Sequence, residues 1–244
     1  MASNSTLKTI RDAAPTISVG LLTANLMSLG SELDLLGQTD IKILHFDVMD
    51  GCFVPMMTVG PPFIKAVKTP LLKDVHLMIE EPLDKLGDYA AAGADIMTVH
   101  LESSRHIHRA LQVMGDMTNA NDLERGIVRG LAINPGTAVE AIEPFLDQID
   151  MLTLLAINPG WGGQKFLQST VGRIARAREI ISESGLDILL CVDAGITRDN
   201  VAEIARLGVD VLVTGSAVFD GKDPVGNARF MLDALRADEG GSRG

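Results

Sequence analysis

Four side chains in this sequence have the types and spacing to hold a metal ion: His45 and Asp47 in HFDVMDG, His76 in VHLM, and Asp193 in VDAG. His45 and Asp47 stand two residues apart, so in an extended strand they project to the same side. Asp50 closes the same motif. Two imidazoles and two carboxylates suit Zn²⁺, Fe²⁺, Mn²⁺ or Co²⁺, and such a donor set does not choose among them. A lone His or Asp at a strand end is more often a solvated or capping group than a ligand. The reading therefore rests on the coincidence of several such groups at several strand ends.

A second chemical signal lies in backbone rather than side chains. INPGWGGQKF (157–166) packs Gly160, Gly162 and Gly163 into one short stretch, and VTGSAVF (213–219) carries Gly215 and Ser216. Glycine lets a ligand approach the main chain closely, and exposed N–H groups near a helix start bind anions. Together these loops predict a phosphate cradle.

Such residues need elements that bring them together. Short apolar or β-branched runs recur along the chain: ISVGLL (17–22), KILHFDV (42–48), DVHLMI (74–79), IMTVHL (96–101), IVRGLAI (127–133), MLTLLAI (151–157), DILLCV (187–192) and DVLVTG (210–215). They are too short for free-standing helices and too continuous for half-exposed strands, which suits parallel strands covered on both faces. Between them, SELDLLGQ, PLDKLGDYAAAGA, TAVEAIEPFLDQI, TVGRIARAREIISESG and TRDNVAEIARLG place apolar residues at helical spacing. Eight strands alternating with helices in 244 residues predict one (β/α)₈ (TIM) barrel spanning 1–244, with short flexible ends. An open doubly wound sheet is the alternative, weakened because no GxGxxG follows the first strand. In a barrel the functional groups gather at the C-terminal ends of the strands, where His45, Asp47, Asp50, His76 and Asp193 fall. The stretch GDMTNANDLERG (115–126) reads as a long surface loop and the tail ADEGGSRG as frayed.

Composition narrows the function classes. The chain is 46% hydrophobic and 22% charged, with a formal net charge of -11. That is ample for a core and repels nucleic-acid backbones. An anion can then be held only by a local site. No segment has the run of about 20 apolar residues that a membrane span needs. The opening MASNSTLKTIRDAAP lacks the apolar stretch of a signal peptide. The two cysteines, Cys52 and Cys191, form no disulfide framework. A cytoplasmic location with reduced thiols is expected. Cys191, inside DILLCV, reads as core.

With these motifs in place, the chain resembles the ribulose-phosphate 3-epimerase family along nearly its whole length. HFDVMDGCFVP, TVGP, DVHLMIEEP, AGAD, INPGT, INPGWGGQKF, VDAGI and VTGSAVF occur in the family's order. The resemblance implies one divalent metal per subunit, held by His45, Asp47, His76 and Asp193. It also implies two-base chemistry: Asp47 and Asp193, on opposite faces of a sugar phosphate, remove the C3 proton and return one on the other side through a planar enediolate. Met49 and Met78 match methionines that cap the substrate. The phosphate would rest on backbone amides at Gly160, Gly162, Gly163, Gly195, Gly215 and Ser216. Family members assemble as dimers or hexamers, so a homo-oligomer is expected.

The chain also departs from the family pattern. Gly20 stands where a substrate-contacting serine is usual, Asn25 where an aspartate is, and Leu155 where a third capping methionine is. VDGG has become VDAG through Ala194, and NPGFGG has become NPGWGG through Trp161. None of these removes a metal ligand or a carboxylate, but they alter the pocket wall. D-ribulose 5-phosphate to D-xylulose 5-phosphate is the expected reaction, with another ketose phosphate such as D-allulose 6-phosphate as the alternative. Two further readings are a metal-assisted lyase or aldolase and a non-catalytic sugar-phosphate sensor. A Schiff-base aldolase would need a lysine at a strand end, and none of the eight ends has one. A sensor would not need two opposed bases. His100 in VHLE receives no role, and His106 and His108 read as surface residues.

Overall fold

A computed structural model describes residues 5–237. Eight strands pair in parallel and close on themselves: β1 (Thr16–Gly20), β2 (Ile43–Met49), β3 (Leu72–Met78), β4 (Ile96–His100), β7 (Val128–Ile133), β8 (Met151–Leu155), β9 (Leu189–Asp193) and β10 (Val211–Thr214). The circuit is completed by β1, which pairs with β2 on one side and β10 on the other. Between β4 and β7 lies a small hairpin of β5 (Thr118–Asn119) and β6 (Asp122–Gly126). Helices α2 (Leu29–Leu36), α3 (Pro61–Ala66), α4 (Leu86–Ala91), α6 (Ser169–Ser184) and α7 (Val201–Ala205) lie between successive barrel strands, α5 (Ile107–Gly115) precedes the hairpin, α8 (Pro224–Arg236) follows β10, and α1 (Ser5–Ala13) precedes the barrel. The closed parallel barrel is the architecture expected from the sequence, and the open sheet is excluded.

The apolar runs lack period-two polarity because both faces of each strand are covered. One set, including Phe46, Val48, Val75, Leu77, Val99 and Leu152, packs outward with Ile64, Leu111, Ile174 and Met231 of the helices. The other set points into the barrel and changes character along its axis. At the N-terminal end Ile43, Leu72, Ile96, Val128, Met151, Leu189 and Val211 form an apolar layer with Leu7 and Ile10 of α1. Higher up, the buried residues include Ser18, Asp74, Thr98 and Thr153. At the top the interior carries the imidazoles and carboxylates. The barrel is thus a core at its base and a site at its mouth, as expected for this architecture.

Two local expectations change. Residues 115–126 are not an unstructured loop but run into the β5–β6 hairpin, anchored by Asn119. That side chain is fully buried and donates to Ala94 O and Asp95 Oδ1. The stretch 137–149 is helical but forms a 3₁₀ helix, Val139–Gln148, with Pro144 inside it. Proline has no N–H to donate and disfavours a regular α-helix. The tail ADEGGSRG begins at the edge of the description, and its residues from 238 onward lie outside the described residues. Cys191 is buried as expected, and Cys52 is exposed. Among the described residues no helix is long and apolar enough to cross a membrane.

Candidate active site

Strand register brings the four candidate ligands together. Asp47 of β2 lies beside His76 of β3, and His45 faces inward two residues earlier on β2. Asp193 ends β9, which lies across β10 and β1 from β2. One donor atom from each of His45, Asp47, His76 and Asp193 falls within 4.8 Å of the others. His45 Nε2 stands 3.3 Å from Asp47 Oδ1 and 3.8 Å from Asp193 Oδ2. His76 Nδ1 stands 3.0 Å from Asp193 Oδ2 and 3.9 Å from Asp47 Oδ1.

The unpaired nitrogens test whether this set fits a metal. His45 Nε2 and His76 Nδ1 are buried, and neither has a hydrogen-bond partner among the described residues. Buried polar atoms are normally satisfied, so two orphans facing the same carboxylates call for a ligand. Tetrahedral ligands about 2.1 Å from one ion stand about 3.4 Å from each other, close to the separations seen. The residues fit a divalent metal.

Each imidazole is also held from behind. His45 Nδ1 lies 2.7 Å from Asp74 Oδ2, which also accepts from Ser18 Oγ at 2.8 Å. Burial pushes His45 down, but the adjacent Asp74 and Asp47 carboxylates outweigh it and hold the imidazole well above its ordinary value. Burial pushes Asp47 up, and neighbouring His45 more than offsets this, leaving the carboxyl below its usual range. Behind His76, His100 Nε2 lies 2.8 Å from His76 Nε2, and His100 Nδ1 lies 3.3 Å from Glu102 Oε2. Burial is the main cause that lowers His100 to about 4, so this imidazole is neutral.

Asp74, Ser18, His100 and Glu102 are the site residues that sequence reasoning missed. Asp74 carried a usable signal, since it sits two residues before His76 just as His45 sits two before Asp47. Asp50, by contrast, does not join the cluster. Its carboxylate accepts from the N–H groups of Cys52, Phe53 and Glu80, tying the loop after β2 to the loop after β3.

Above the cluster opens a cavity of about 490 Å³. Asp47 and Asp193 reach it, Met49, Met78 and Leu155 line it, and Gly160, Gly162, Gly163, Gly195, Gly215 and Ser216 form part of its wall. All of the phosphate-cradle positions named from sequence therefore border one pocket. The loop after β8 is folded on itself by Gln164, whose Nε2 donates to Asn158 O and Trp161 O. Gly215 is required by packing: a Cβ there would come within 2.7 Å of Gly20 O and 2.6 Å of Thr23 Oγ1. A Cβ at Gly162 would meet nothing within 4 Å. His106 and His108 are exposed, as expected.

The departures from the family pattern separate by location. Gly20, Leu155, Trp161 and Ala194 all line the cavity. Asn25 is exposed and accepts from Met27 N–H, an N-cap contact that an aspartate makes equally well.

A closed parallel barrel with a His₂Asp₂ cluster at the floor of its mouth defines a (β/α)₈-barrel enzyme whose site can hold a divalent metal. Comparison with known proteins makes the class specific. The family model described as Ribulose-phosphate 3 epimerase family matches residues 16–219. The ribulose-phosphate 3-epimerase of Bacillus subtilis (strain 168) is 38% identical over 210 residues, covering 85% of this chain and 93% of the relative. That of Escherichia coli (strain K12) is 38% identical over 228 residues, covering 91% and 95%. The chloroplastic ribulose-5-phosphate-3-epimerase of Arabidopsis thaliana is 39% identical over 211 residues, covering 85% and 72%. Among solved structures, 3-hexulose-6-phosphate synthase from Salmonella typhimurium superposes with a TM-score of 0.64 at 19% identity, covering 91% of this chain and 99% of that one, and it shows the fold alone. The chain belongs to the ribulose-phosphate 3-epimerase family and is an epimerase.

Proposed function

We propose that this enzyme interconverts the C3 epimers of a ketose phosphate, with D-ribulose 5-phosphate and D-xylulose 5-phosphate as the pair. The reading is carried by one observation: Asp47 and Asp193 both reach the cavity while sharing a donor cluster with two buried imidazoles. The names of the related proteins support the substrate class.

A C–H next to a ketone is too weak an acid for an unaided carboxylate. A divalent ion held by His45, Asp47, His76 and Asp193 would supply positive charge where negative charge develops on the substrate oxygens. The two carboxylates arrive from β2 and β9, separated by two strands around the barrel, and so address the pocket from different sides. One takes the C3 proton and the other delivers a proton to the opposite face, which inverts the centre. Exchange of roles between the two runs the reaction backward. Met49, Met78 and Leu155 exclude water around the reacting carbon, and the loops carrying Gly160, Gly162, Gly163, Gly195, Gly215 and Ser216 hold the phosphate by backbone N–H groups.

In this reading one Zn²⁺, Fe²⁺, Mn²⁺ or Co²⁺ serves each subunit, residues 1–244 act as one barrel, and the chain works as a homo-oligomer in the cytoplasm. The test is a panel of ketose phosphates, D-allulose 6-phosphate included, turned over in deuterated water with the metal content measured on the same sample. Deuterium is expected at C3 fastest with the five-carbon pair. No incorporation into any member of the panel would defeat the epimerase assignment to this substrate class, and faster incorporation into a six-carbon ketose phosphate would redirect it.

A further inference from the structure

His100 and Glu102 form a chain behind His76 that decides which of its nitrogens faces the cluster. The His76 and His100 rings are within 9° of parallel with centroids 4.9 Å apart, while their Nε2 atoms lie 2.8 Å apart. A centroid separation that long with nitrogens that close places the rings edge to edge, as an N–H···N bond requires. Two nitrogens so placed share one proton, and His100 is fully buried, so its far end settles which nitrogen owns it.

Glu102 is that far end. Its Oε1 accepts from Asn134 N–H at 2.8 Å and from the Thr137 hydroxyl, and its Oε2 faces His100 Nδ1 at 3.3 Å. A carboxylate only accepts, so His100 Nδ1 carries a proton. His76 Nδ1 makes no hydrogen bond among the described residues, so the proton of the Nε2–Nε2 contact is assigned to His76, and His100 Nε2 is its acceptor. His76 must then donate from Nε2, which leaves the lone pair of its Nδ1 pointing at Asp47 and Asp193.

We propose that Glu102, acting through His100, fixes the tautomer of His76 and so makes His76 Nδ1 a ligand; both are positioning residues. The inference rests on the reading of the cluster as a metal site. It assigns a function to the VHLE stretch, which ends β4 and enters the 3₁₀ turn Leu101–Ser103, and to the loop after β7 that pins Glu102. His45 reaches the same end by a shorter route, through Asp74 on its Nδ1, and presents the opposite nitrogen.

The decisive variant is Glu102→Gln, which has nearly the same shape. If the amide oxygen keeps the Asn134 and Thr137 contacts, its NH₂ faces His100 Nδ1 and reverses the chain. Zn²⁺ affinity, from competition against a chromophoric chelator, is expected to fall about ten- to hundred-fold. Nitrogen-15 shifts of the imidazoles in the metal-free protein are expected to show His76 moving from the Nε2–H to the Nδ1–H form. His100→Gln, which can accept from His76 and donate to Glu102, is expected to bind Zn²⁺ within about three-fold of the parent, whereas His100→Leu follows Glu102→Gln. Unchanged affinity and unchanged His76 tautomer in Glu102→Gln would overturn the proposal, as would equal losses in His100→Gln and His100→Leu. Should the parent protein bind no Zn²⁺ or Co²⁺, the metal reading fails by itself. The imidazole shifts of Glu102→Gln then still decide the relay.

Discussion

The two sides of the pocket are built on different principles. On the β2–β3–β9 side, every donor is a side chain on a buried strand, and each imidazole is locked by a partner behind it. On the β8–β10 side, the wall is made of loops rich in glycine, where what matters is where the main chain runs. The first side depends on which side chains stand at its strand ends. The second depends on the absence of side chains, and its tolerance varies position by position with the space available.

Substitutions that separate the two sides give effects of different kinds. The largest is expected from Asp193→Asn or Asp47→Asn, which keep shape but remove a base; kcat should fall about 10²- to 10⁴-fold with phosphate affinity retained. Turnover followed by NMR checks this, and a kcat near that of the parent in either variant would break the two-base assignment. Next comes Asp74→Ala, which leaves His45 Nδ1 without its partner. Zn²⁺ affinity in a chelator competition should drop about 10- to 100-fold while the binding of inorganic phosphate is unchanged.

On the glycine side, Gly215→Ala and Gly162→Ala form an internal contrast. The first pushes a Cβ into Gly20 O and Thr23 Oγ1, the second into open space. KM for the sugar phosphate should rise at least about ten-fold in Gly215→Ala, together with about 1–3 kcal/mol of destabilisation from overpacking. Gly162→Ala should leave the melting temperature unchanged, since its Cβ meets no protein atom within 4 Å; equal destabilisation at both positions would remove the distinction. Gly20→Ser restores a hydroxyl where a Cβ stands 3.6 Å from Gly215, an ordinary contact. The ratio of kcat/KM values between five- and six-carbon ketose phosphates should shift several-fold, in line with one hydrogen bond worth about 0.5–1.5 kcal/mol. The smallest effect concerns Ala194, whose φ of 71° lies in the left-handed region. Ala194→Gly relieves about 1 kcal/mol of backbone strain and should raise the melting temperature by a few degrees, seen by calorimetry.

The contrast between the two sides also explains what could be read from sequence. His45 and Asp47 announce themselves by type and by period-two spacing, and the glycine loops by their density. His100 carries the same residue type at a strand end yet gave no role, because its role depends on register: His76 lies beside Thr98, and His100 follows two residues later on the same inward face. Register between neighbouring strands is fixed by how the barrel closes, a property of the whole circuit that a single strand does not display. Glu102 was further out of reach, since its partners Asn134 and Thr137 lie more than thirty residues away. The β5–β6 hairpin was missed for a different reason. Only Asn119 of its strand residues is buried, so no alternation of apolar side chains marks it.

Helix α1 has one last consequence. By pressing Leu7 and Ile10 against the first inward residues of the strands, it turns the barrel into a vessel with a stoppered base. Among the described residues the large cavity opens at the mouth, so reactant and product meet the same lining on the way in and out. In a reaction that inverts one carbon and leaves size and charge unaltered, the traffic in both directions meets the same walls.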